Sequence, residues 1–88
     1  MATNVDAVIQ KLKTTLAEEP LLNLSADQIG DDVALMEGGL DLDSIGILDV
    51  IGLVETTFNF QFEDADLRME TFENLRSLAQ VIARRIDG

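Results

Sequence analysis

The chain has 88 residues, 47% of them hydrophobic, with 17 acidic side chains against six basic ones and a formal net charge of -11. That is one small domain, residues 1–88, apolar enough to bury a core and too apolar to stay disordered. With neither cysteine nor histidine, a disulfide framework, a thiolate zinc site and a Ser/His catalytic triad are all excluded. The charge is also unevenly placed. No basic residue lies between Lys13 and Arg68, yet 13 of the 17 acids do. Binding to nucleic-acid phosphates or to an anionic membrane is therefore disfavoured, and the natural partner is a protein with a basic patch. The opening "MATNVDAVIQKLK" has no apolar signal region and no apolar run approaches the length of a membrane span, so the expectation is a cytoplasmic monomer.

In chain order, Val5, Val8, Ile9, Leu12 and Leu16 recur at i, i+3, i+4, i+7 and i+11 and make the apolar stripe of a first helix. Thr3 is placed to cap it, Asp6 suits its positive end and Pro20 lies beyond its far end. A long first loop, residues 18–43, follows. Leu21, Leu22, Leu24, Ile29, Val33, Leu35 and Met36 can tether it to the core, and Ser25 to Gln28 can form a brief capped turn. Ile47, Val50, Ile51, Val54 and Phe58 repeat the stripe in a second helix. "EDADLRM" then suits a short third helix carrying Leu67 and Met69 inward, with Phe60 and Phe62 packing beside it. Leu75, Leu78, Ala79, Ile82 and Ile86 make the last stripe, capped by Asn74 or Thr71 and closed by Arg84 and Arg85. The one alternating stretch, "FNFQFE", has no second strand to pair with. The expected fold is all-α: a four-helix bundle with three main helices, a short third helix and a long first loop.

The stretch "GLDLDSIGIL" carries the functional reading. Asp43 and Ser44 both suit the N-cap of the second helix. Three features ask more of Ser44 than capping. Ile45 and Leu48 point away from the core stripe, ringed by Asp41, Asp43, Asp49 and Glu55, as in a docking surface with an apolar centre and a charged rim. Gly46 and Gly52 sit inside the helix at a cost of about 1 kcal/mol each relative to alanine, and they keep the surface near Ser44 low. A helix N-terminus also offers free N–H groups and a partial positive charge to an anion such as a phosphodiester. "DLDSIGILDVIG" imitates a calcium loop in its Asp-x-Asp and sixth-position Gly, but Gly52 stands where a bidentate Glu is needed. No metal site is expected.

Asp43-Ser44-Ile45 resembles the Asp-Ser-Leu motif of the acyl carrier protein family, phosphopantetheine-binding carrier domains, with Ile in place of Leu. "EGGLDL" resembles that family's lead-in, displaced because Leu40 follows the glycines, and "TFENLRSLAQVI" is similar to the start of its last helix. The resemblance implies that Ser44 receives 4′-phosphopantetheine from a separate phosphopantetheinyl transferase, beside Asp43. It further implies that the domain is no enzyme and has no catalytic residue of its own. As a carrier it would hold acyl intermediates as thioesters for fatty acid, polyketide or specialised lipid synthesis. Its partners would be acyl transferases, ketosynthases or acyl-activating enzymes with basic patches, docking on Asp41, Ile45, Leu48, Asp49 and Glu55. The alternative from the residues alone is an unmodified acidic helical adaptor or inhibitor that docks on a basic protein surface.

Overall fold

The computed structural model describes residues 4–20, 22 and 24–87. It contains three α-helices, α1 (Val5–Glu18), α2 (Ser44–Phe58) and α3 (Leu75–Asp87), with 3-10 turns at Ala26–Gln28 and Asp64–Asp66. No strand occurs among the described residues; Ala34 and Asn74 make one isolated antiparallel bridge. Thr3 and Leu21, given roles in the sequence reading, lie outside the described residues. Asn4 caps α1, its side-chain oxygen accepting the Asp6 N–H at 2.8 Å.

The apolar stripes become the core. Val8, Ile9, Leu12 and Leu16 of α1 meet Leu75, Leu78, Ala79 and Ile82 of α3, while Ile47, Val50 and Val54 of α2 close the third side. The α1–α3 packing is the more extensive; α2 touches α1 less. Ile86 departs from expectation: it stands in the last turn of α3, 37% exposed, beyond the neighbouring helix that would cover it. Asn74 rather than Thr71 caps α3. The Asn74 Oδ1 accepts the Ser77 N–H at 2.8 Å and the Ser77 Oγ accepts the Asn74 N–H at 3.1 Å, a reciprocal pair. Thr71 is instead buried, its carbonyl accepting the Ser77 hydroxyl at 3.1 Å.

The short third helix is reduced to one 3-10 turn, and Leu67 and Met69 do not face inward: they are 45% and 79% exposed. The cause is local. Asp66 Oδ2 accepts the Glu63 N–H at 3.0 Å and the Ala65 carbonyl accepts from Arg68 Nε at 2.8 Å. Such side-chain bonds to nearby backbone compete with helix propagation. The segment is held by its flanks instead. Phe60, Phe62 and Phe72 form an edge-on aromatic chain, with ring centroids 5.0 and 5.8 Å apart, that packs on the core as expected. Arg85 Nη2 also reaches Glu63 Oε1 at 2.7 Å, and its Nε lies 2.9 Å from Asp66 Oδ2.

The long loop is folded onto the bundle. Ile29 and Leu35 are buried, and Leu22, Leu24 and Met36 pack against the core; Val33 is only half-buried. Ser25 and Gln28 close the expected capped turn, the Gln28 side-chain oxygen accepting the Ser25 N–H at 2.8 Å. Polar bonds then fasten the loop. Leu35 N–H donates to the Glu73 carbonyl at 3.0 Å and Arg76 N–H to the Asp31 carbonyl at 3.1 Å. Asp31 is also gripped from both main helices, by Lys13 at 2.6 Å and Arg76 at 3.5 Å, and Arg76 Nε bonds Asp32 at 3.0 Å. The Lys13 hydrogen bond holds the Asp31 carboxyl below its ordinary range, and Asp32 holds the Arg76 guanidinium above its own. Residues 34–42 double back through Leu40 N–H to Ala34 carbonyl at 2.8 Å and Leu42 N–H to Leu35 carbonyl at 3.0 Å, which delivers the chain to Asp43.

Candidate functional site

At the start of α2, Asp43 is the N-cap: its Oδ1 accepts the Gly46 N–H at 2.8 Å. Ser44 is the first helical residue, is exposed, and its hydroxyl makes no hydrogen bond among the described residues. The competition between two capping residues is thus resolved. Asp43 takes the structural duty and Ser44 is released from it. The Ser44 and Ile45 N–H groups, which precede the first intrahelical bond from Ile47, find no acceptor among the described residues. A free hydroxyl therefore sits beside unmatched donors at the positive end of a 15-residue helix, a setting that favours a phosphoryl oxygen.

An open groove of about 610 Å3 lies alongside, between α2 and the end of the loop. Its apolar lining comes from Leu22, Leu40 and Leu42 of the loop and Ile45 and Leu48 of α2; Asp41, Asp43 and Asp49 complete it. Ile45 and Leu48 are 76% and 65% exposed, as the helical projection of the sequence requires. Gly46 packs against Leu42, at 3.4 Å for an added Cβ, whereas Gly52 faces open space.

The acids expected on the rim divide into different roles. Asp41 is in the left-handed region (φ 57°), and its Oδ1 accepts the Gly38 N–H at 3.2 Å, which stabilises that turn. Asp49 lines the groove with its Oδ2 shielded from solvent and unmatched by a donor. Glu55 departs from the rim role: its Oε2 accepts the Phe62 N–H at 2.9 Å in a partly buried bond that fastens the segment after α2. The sequence reading missed Leu40 and Leu42 as groove residues, although their two-residue spacing before Asp43 hinted at one face of an extended strap. It also missed Asn59, whose left-handed backbone (φ 57°) ends α2.

Residues 10–82 match the family model for the phosphopantetheine attachment site. The chain belongs to that family. The comparison with curated proteins returns no match. As a carrier domain the protein is not itself an enzyme; it bears covalent 4′-phosphopantetheine and works with a phosphopantetheinyl transferase and the enzymes of a pathway. This membership selects the carrier reading over the unmodified adaptor. Among the described residues no helix is long and apolar enough to cross a membrane, and no cluster of His, Cys, Asp and Glu forms a metal site. The α2 N-terminus fits the prosthetic group: a free hydroxyl, two unmatched N–H donors and a neighbouring groove stand together.

Proposed function

We propose that Ser44 is the attachment residue and that the 88-residue chain acts as a single, monomeric acyl carrier for fatty acid, polyketide or specialised lipid synthesis. The exposed Ser44 hydroxyl, free of any intramolecular bond at the first turn of α2, carries this reading. When bound, phosphopantetheine supplies a thiol on a flexible arm that holds an acyl group as a thioester. The chain's own residues do the rest. Asp43 fixes the first turn of α2 through Gly46, so the Ser44 Oγ is presented without reorganisation. The Ser44 and Ile45 N–H groups offer hydrogen bonds to a phosphodiester oxygen. The base that activates the hydroxyl comes from the transferase, because the chain contains no histidine. Asp41 and Asp49 with Ile45 and Leu48 form the docking surface for basic pathway enzymes, and a cytoplasmic setting fits this partnership.

The reading is tested by intact mass after incubation with coenzyme A and a phosphopantetheinyl transferase. Wild type is expected to gain one phosphopantetheine and Ser44→Ala none, with the helical circular dichroism unchanged. Persistent loading of the alanine variant would move the site elsewhere.

A further inference from the structure

The groove beside Ser44 has a chemistry of its own, and reading it rests on Ser44 as the attachment residue. It lies on the outer, loop-facing side of α2. The side of α2 toward the core is occupied: Val50 and Val54 are fully buried against Leu12, Leu16, Leu75 and Leu78, each 0% exposed. The outer groove, at about 610 Å3, falls within the range of small-ligand sites, about 300–1,000 Å3. It begins at the attachment point, since Asp43, Ile45 and Gly46 both flank Ser44 and line it. Its walls are mostly leucine and isoleucine, and the loop strap of residues 40–42 forms the side facing α2.

Its charge narrows the occupant. Three carboxylates, Asp41, Asp43 and Asp49, line the groove, and no lysine or arginine does. An acyl group ending in a carboxylate would meet only like charge, whereas a neutral apolar chain loses nothing to it. Asp49 adds an acceptor that has no donor, its Oδ2 shielded from water; an N–H on the occupant complements it. We infer that the loop–α2 groove seats a neutral, medium-length acyl chain carried on Ser44, folded back along the outer face of α2 rather than into the helical core, and that it discriminates against anionic cargo.

The experiment loads the full chain through the transferase with octanoyl, acetyl or succinyl arms from the corresponding coenzyme A thioesters. Intact mass checks each loading before amide chemical shifts are recorded by NMR. Octanoyl relative to acetyl is expected to move the amides of Leu40, Leu42, Ile45, Leu48 and Asp49, and succinyl to leave them in place. Leu48→Asp, at an exposed position that does not support the core, is expected to reduce the octanoyl-dependent shifts severalfold. Shifts centred on Leu12, Leu78 and Ile82 would overturn the inference by placing the chain in the core. So would a groove that responds only to an added partner enzyme, or a Leu48→Asp variant that behaves as wild type. A mass gain with a silent groove removes this inference alone; no mass gain in wild type removes the Ser44 reading and this one with it.

Discussion

The two long sides of the molecule treat the same residue types in opposite ways. Along the α1–α3 side, leucines vanish into the core and carboxylates find cations: Leu12, Leu16, Leu75 and Leu78 are 0% exposed, and Asp31 and Asp32 are held by Lys13 and Arg76. On the outer face of α2, Leu48 is 65% and Ile45 76% exposed. There Asp41 and Asp43 bond only backbone N–H groups, and one oxygen of Asp49 bonds nothing. The contrast separates two tasks. One side supplies folding free energy; the other keeps apolar area and negative charge available for what binds there.

The sharpest way to break this contrast is to truncate one leucine from each side. Leu12→Ala removes a fully buried side chain and is expected to cost about 2–5 kcal/mol, a large share of a stability of about 5–15 kcal/mol. Leu48→Ala is expected to stay within about 0.5 kcal/mol of wild type. Urea unfolding of both variants decides it, and comparable losses would mean that Leu48 supports the fold.

Two glycines sharpen it at the backbone. At Gly39 a Cβ would overlap the Ala34 carbonyl, the same carbonyl that receives the Leu40 N–H. Gly39→Ala is therefore expected to destabilise by about 1–3 kcal/mol through overpacking and to disturb the strap that walls the groove. At Gly52, inside α2, a Cβ meets nothing within 4 Å, so Gly52→Ala is expected to gain up to about 1 kcal/mol from helix propensity. Thermal melts of the pair should move in opposite directions; a loss at Gly52 would reveal a constraint on α2 beyond packing.

The smallest effect is electrostatic. The hydrogen bond from Lys13 holds the Asp31 carboxyl below its ordinary range. The folded state thus binds that proton less tightly than the unfolded chain. The stabilisation is present above the unfolded pKa, about 3.9, and is lost as pH falls through the lower folded value. Asp31→Asn is expected to lower the melting temperature modestly at pH 7, since the pair is partly solvated. The gap to wild type should close as the pH is taken below the ordinary carboxylate range. A gap that persisted in acid would assign the loss to packing of the loop rather than to the ion pair.

The sequence by itself determined what depends on period and on neighbours a few residues apart. The stripes of α1, α2 and α3 follow from 3.6-residue spacing, the exposure of Ile45 and Leu48 from their angle to that stripe, and the helix start at Asp43-Ser44 from capping chemistry. Only the tertiary structure decided which residues meet across long stretches of chain. Glu55 looked like a rim charge because its Phe62 N–H partner becomes near only when the chain reverses at Asn59. Leu67 and Met69 looked like core because hydrophobicity is legible locally, whereas the side-chain bonds of Asp66 and Arg68 that stop the helix depend on how the segment turns. Asp31 is singled out among the acids because the fold brings Lys13 and Arg76 to it from two different helices. The groove joins Leu22, Leu40 and Leu42 to α2 because the loop folds back on itself, and loop closure is set by long-range packing and backbone bonds that no local pattern encodes.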